Sequence, residues 1–178
     1  AQFADPDSVL AAPEPPAGVA YVTGAWRYAR GEAYLRLGRV ESARAEASAI
    51  AALIRNGDFT AMNQANVPAQ DILDIYRRQL LGRAYMVEGD YPAAIAELRA
   101  AVDAQARVPY TEPPYIYYPI RRTLGAAYLL NDQAAVAEIE FLQVLIDSPN
   151  DAYAYWGLSQ ARRQRGDRTG ADAARRMF

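Results

Sequence analysis

Arginine, aspartate, glutamate, tyrosine and the serine and threonine hydroxyls carry all the ionisable and nucleophilic chemistry of this chain. All nineteen cations are arginine, and lysine, histidine and cysteine are absent from the 178 residues. That excludes a thiolate nucleophile, an imidazole base, a Schiff-base or phosphate-loop lysine, and the His/Cys ligand sets that zinc prefers. No metal site and no cofactor are expected. Carboxylate and phenol catalysis remains open, and two pairs invite it: Asp71 with Asp74, and Glu138 with Glu140. On a helix the first pair shares a face and the second diverges, so both read most simply as solvated, Asp71 and Asp74 near a helix N-terminus.

The densest phenol cluster is Tyr110, Tyr115, Tyr117 and Tyr118, in a stretch with Pro109, Pro113, Pro114 and Pro119. The prolines favour an extended, partly polyproline-like path. The rings could close one end of a groove or offer hydroxyls to a partner; the plainer alternative is that they pack on neighbouring helices. Arg162, Arg163, Arg165 and Arg168 form the most basic cluster, but Asp167 and Asp172 interrupt it. It reads as a solvated end face. A formal net charge of -2 is too balanced for nucleic-acid or membrane binding by bulk electrostatics.

The elements that must position these residues are helical. Residues 1–17 hold Pro6, Pro13, Pro15 and Pro16 and predict an extended lead-in. From Gly18 onward polar and apolar residues alternate at intervals of three and four, no strand pattern appears, and no apolar run is long enough to span a membrane. Eight helices are expected, at 18–37, 40–55, 69–88, 91–105, 117–131, 133–147, 151–165 and 169 to the end. Gly38, Gly89 and Gly166 mark turns, Asn131-Asp132 takes the equivalent turn of another hairpin, and Asp90 and Asp167 stand at cap positions. The absence of cysteine leaves cytoplasm and periplasm both open, and a chain opening Ala1-Gln2-Phe3 reads as a signal-cleaved product or a piece of a longer protein.

A repeat appears through offsets. Gly31, Tyr34 and Ala43 recur 51 residues later as Gly82, Tyr85 and Ala94, and again 43 residues later as Gly125, Tyr128 and Ala137; Ala137 recurs after 34 as Ala171. The two longer steps place insertions near 57–68 and 107–115, between hairpins.

Leu81, Gly82, Tyr85, Gly89, Tyr91, Ala94 and Leu98 in the second repeat, and Leu124, Gly125, Tyr128, Ala137, Phe141 and Pro149 in the third, resemble the tetratricopeptide repeat, whose period is about 34 residues. The resemblance runs from about Gly24 to Ala174. The first repeat has Arg30 where leucine is usual. The fourth has Ser159 for glycine and Arg162 for tyrosine, so its second helix is expected to be irregular or to need further chain beyond Phe178. Arg27, Arg78 and Arg121 stand where the family has tryptophan. The stretch from Val108 to Arg121 is also similar to the C-terminal part of a group of long bacterial repeat proteins. The resemblance implies an all-α solenoid of antiparallel hairpins, a right-handed superhelix, in one repeat domain over 18–178.

It also implies a binding scaffold. Beside the packing face of the second hairpin lies a stripe of Tyr76, Gln79, Arg83, Met86 and Val87, expected on the concave side. Projected through the offsets, the groove gains Tyr28, Glu32 and Arg36, then Arg122, then Tyr153, Trp156 and Arg163. Four arginines against one carboxylate, Glu32, interleaved with aromatic rings, suit a peptide bearing acidic groups or a free carboxylate; the plainer alternative is solvated arginine. The lysine-based carboxylate clamp of chaperone-binding relatives is not reproduced. A non-enzymatic protein-interaction module is the expectation. Self-association through exposed repeat ends at Ala174, Met177 and Phe178, and a carboxylate or tyrosine enzyme, are the rivals.

Overall fold

The computed structural model describes residues 4–16 and 18–178; the remainder of the expected lead-in lies outside the described residues. Ten helices and no strand occur among them: α1 (Pro6–Leu10), α2 (Ala20–Arg36), α3 (Val40–Asn56), α4 (Thr60–Gln64), α5 (Ala69–Glu88), α6 (Tyr91–Gln105), α7 (Ile120–Leu130), α8 (Ala134–Asp147), α9 (Ala152–Gln164) and α10 (Arg168–Met177). Helices α2/α3, α5/α6, α7/α8 and α9/α10 pair as hairpins, and each hairpin packs on the next. The first helices α2, α5, α7 and α9 form one continuous row.

Two helices exceed the expectation. The lead-in is not extended throughout: Pro6 occupies the first turn of α1, where a missing N–H costs nothing, and the Asp5 carboxylate accepts from the Ser8 N–H at 3.0 Å. Proline density forbids a helix interior, not a helix start. The lead-in is then tied to α2, with Arg30 donating to the Leu10 carbonyl (3.1 Å) and the Trp26 indole N–H to the Ala12 carbonyl (3.3 Å). The first insertion folds into α4. Conversely, α7 starts three residues later than expected, because Pro119 biases Tyr118 away from helical geometry.

Turn chemistry follows the residues. Gly89 ends α5 with φ +81°, and Asp132 takes the same left-handed region at φ +57° in the third hairpin, as expected for an Asn-Asp turn. Asp90 and Asp167 cap α6 and α10, accepting from Ala93 N (3.1 Å) and Gly170 N (2.8 Å). With that cap, and with Ala171 and Ala174 buried on α9, α10 is regular rather than irregular.

Packing is set by small residues facing large ones. A Cβ at Gly31 would lie 2.6 Å from Leu80, at Gly82 2.6 Å from Leu98, and at Gly157 2.3 Å from Phe141, which also touches Gly125. Ala43, Ala94, Ala137 and Ala171, the alanines of the offset pattern, are all buried.

The arginines at the family's tryptophan position have a shared role. Arg27 bonds Glu46 (3.0 Å), Arg78 bonds Glu97 (3.1 Å) and Arg121 bonds Glu140 (2.8 Å), each pair 19 residues apart and each joining the two helices of one hairpin. Asp74 accepts from Arg77 and Arg78, and Glu138 from Arg162 and Arg165. Thus Asp74, Glu138 and Glu140 are partners in ion pairs rather than solvated carboxylates, and half of the basic end cluster clasps Glu138. Burial pushes the Glu138 carboxyl up, but the two guanidiniums outweigh it and hold it below the usual range.

Gly157→Ala is expected to destabilise the fold by about 1–3 kcal/mol through overpacking against Phe141, although alanine is the better helix former by about 1 kcal/mol. Phe141→Leu added to it should recover part of the loss. Urea unfolding of the two single variants and the double variant checks this.

Candidate functional site

The row of first helices carries two pockets that share Arg83 and Tyr118 in their linings. The first, about 350 Å³, lies between α2, α5 and the segment 115–118, and brings together Tyr28, Glu32 and Arg36 from α2 with Tyr76, Gln79 and Arg83 from α5. The second, about 400 Å³, lies where α5, α7 and α9 meet, walled by Arg83, Met86, Arg122, Tyr153 and Trp156. Helical spacing explains the first set: 28, 32 and 36, and 76, 79 and 83, stand one turn apart on two neighbouring helices.

In the first pocket the Tyr28 and Tyr76 rings stack with centroids 4.3 Å apart and planes 10° from parallel. The Tyr76 hydroxyl donates to the Tyr115 carbonyl at 3.3 Å, fastening the proline-rich segment over the helices. Burial raises the Tyr76 phenol to about 12 and the Tyr28 phenol well above its ordinary value. Glu32 is only 6% exposed; its Oε2 accepts from Arg83 and its Oε1 makes no hydrogen bond. Desolvation raises the Glu32 carboxyl, with Arg83 and the nearby Tyr28 hydroxyl opposing. Gln79, 1% exposed, likewise has an unpartnered Oε1.

In the second pocket Arg122 donates to both oxygens of Asp151 (3.0 and 2.8 Å) and lies over the rings of Tyr118 (4.1 Å) and Tyr153 (4.9 Å). Asp151 also caps α9 by accepting from the Ala154 N–H at 2.8 Å. One carboxylate therefore orients the arginine and starts the helix that brings Trp156 to the pocket wall.

This hairpin order, with one helix row carrying the pockets, has counterparts among solved structures. A candidate kinesin light chain from Podosopora anserina, with nearly identical TPR-like repeats, matches with a TM-score of 0.58 at 19% identity, over 87% of this chain and 72% of that one. The chain has a tetratricopeptide-like repeat fold. A Gln-to-Met variant of the same protein matches with a TM-score of 0.58 at 19% identity, over 94% and 76% of the two chains. No family model and no curated protein matches the sequence.

Most of the projected stripe is thus gathered by the tetratricopeptide-like row, with exceptions. Arg163 stands apart with Gly166, Arg168 and Asp172, 3.7 Å from the Asp172 carboxylate, and belongs to neither pocket. Tyr110 is 83% exposed and donates to Glu112 on the far side of the segment, outside both. Tyr117, 76% exposed, and half-buried Tyr115 and Tyr118 do line the first pocket. The expected count of one groove carboxylate is short by Asp151, which balances Arg122 as Glu32 balances Arg83. Its signal was present in the sequence: an aspartate two residues after Pro149 and directly before a helical pattern is a cap. Among the described residues no cluster of three or more acidic residues could hold a metal ion, and the first pocket has a single carboxylate.

Asp151→Asn keeps a capping acceptor but removes the charge, while Asp151→Ala removes both. Breaking a buried pair costs about 3–5 kcal/mol and losing a cap about 1 kcal/mol, so the alanine variant should melt lower than the asparagine variant, and both below the parent. Calorimetry of the three proteins measures the ordering.

Proposed function

We propose that this chain is a non-enzymatic protein-interaction module that binds an extended segment of another protein along the row α2, α5, α7 and α9. The observation that carries this reading is the pair of adjoining pockets with exposed rings at their rims: Trp156 and Tyr153 over the second, Tyr117 over the first. Large aromatic side chains at a pocket edge are the usual anchors of such surfaces. The tetratricopeptide-like fold supports it, since hairpin arrays of this kind serve as extended binding surfaces.

The rings support the reading more than net charge does. An acidic segment would have to compete with Glu32 for Arg83 and with Asp151 for Arg122, at the cost of leaving a buried carboxylate unpaired. Substituting Arg83 or Arg122 would disturb the fold itself, so the exposed rings are the better probes. A peptide-display screen on the whole chain should return binders, and Trp156→Ser with Tyr117→Ser should weaken them at least tenfold while the melting temperature holds. Unchanged affinity in the double variant would remove this face from the binding surface.

Self-association is a second reading, favoured by an exposed apolar stripe on α8, Ile139, Leu142 and Ile146, and by exposed Met177 and Phe178 at the end of α10. Ile139→Glu with Ile146→Glu should abolish any concentration-dependent mass seen by light scattering. A parent chain of constant monomer mass would count against it.

A further inference from the structure

The second pocket opens where one position of the repeat loses its long side chain. By the offsets of 51, 43 and 34 residues, Glu32, Arg83, Ala126 and Gln160 occupy the same position in four successive first helices. Between α2 and α5 that position is filled, because Arg83 reaches across to Glu32. Between α5 and α7 it is not. The third copy stops at the methyl of Ala126, and the pocket of about 400 Å³ has both Arg83 and Ala126 in its lining.

Charge narrows the occupant. Arg83 is held by Glu32, and Arg122 by Asp151. A further cation would meet two guanidiniums, and an anion would have to draw one of them from a carboxylate that then stands unpaired in a poorly solvated place. Uncharged polar groups gain little either. Thr123, 6% exposed, already donates to the Tyr118 hydroxyl at 3.3 Å, and beside it the lining is carbon and sulfur: Met86, Ala126, Phe141 and the buried Gly157. A polar group placed there gives up water without a partner, whereas an apolar one gains by leaving water.

We infer that the second pocket is an apolar subsite, taking a leucine or phenylalanine side chain of the bound segment, and that Ala126 is the residue that keeps it open. This rests on the protein-binding reading above and specifies one residue class of the ligand.

The test uses the whole chain and four capped peptides, acetyl-Gly-Leu-Gly-N-methylamide and its Phe, Asp and Lys counterparts. Titrations followed by NMR at the Trp156 indole N–H and the Met86 methyl should give shifts with the Leu and Phe peptides and at least tenfold weaker binding of the Asp and Lys peptides. Ala126→Leu fills the pocket from its own wall with a residue that is also a strong helix former. It should lose at least tenfold in affinity for the Leu peptide while its melting temperature holds or rises.

An Asp or Lys peptide binding as tightly as the Leu peptide to the parent chain would overturn the proposal, as would an Ala126→Leu protein that keeps its affinity. A fall in the melting temperature of Ala126→Leu would also overturn it, by showing that the space beside Ala126 is already packed. Shifts confined to Tyr28 and Tyr76 would remove this subsite and leave the binding face standing. So would no shift with any peptide while the Trp156→Ser, Tyr117→Ser double variant still weakens the display binders. No shift, together with unchanged display binding in that double variant, would overturn both.

Discussion

Close helix approach is the constraint on which this molecule depends. At Gly24, Gly31, Gly82 and Gly157 the side chain of a facing leucine or phenylalanine fills the space where a Cβ would stand. Helices drawn that near bury alanine completely and leave no room for a wide core, so the chain gains stability by adding hairpins in a row instead of layers. The same approach brings Tyr28 of α2 onto Tyr76 of α5 at stacking distance. The pockets are therefore products of the packing rule, formed where the row departs from it: the proline-rich segment roofs one, and polar residues line both.

The periodic parts of this design were legible in the sequence. Offsets of glycine, tyrosine and alanine located the hairpins, and the glycine and aspartate turns took the conformations their side chains predict. The stripe projected from the second hairpin reached two real pockets because helical geometry fixes which residues share a face. What escaped was everything that depends on distance between elements. Asp151 looks like a surface residue until α9 is set against α7, and Glu46, Glu97 and Glu140 acquire meaning only when the second helix of each hairpin folds back. Arg163 fails in the opposite way: its repeat offset is correct, but the structure sets it beside Gly166, Arg168 and Asp172, away from both pockets of the row.

A chain without lysine or histidine must handle its charges with one cation type, and guanidinium geometry shows throughout. Arg122 is held by two carboxylate oxygens and two rings at once, and Arg44 lies over Tyr85 at 4.4 Å while bonding Glu88. A planar, delocalised cation lays its face on a ring while its edge forks onto a carboxylate. The result is a surface of arginines that are mostly committed to internal partners.

The 19-residue arginine–glutamate pair closes within its own hairpin in the first three copies. That pair travels with its hairpin, whereas Arg83–Glu32 and Arg122–Asp151 tie each hairpin to a neighbour. The last hairpin, with Tyr155 and Ala174 at the corresponding places, lacks that internal clasp and is held by its charges to the third hairpin instead, through Arg162 and Arg165 on Glu138.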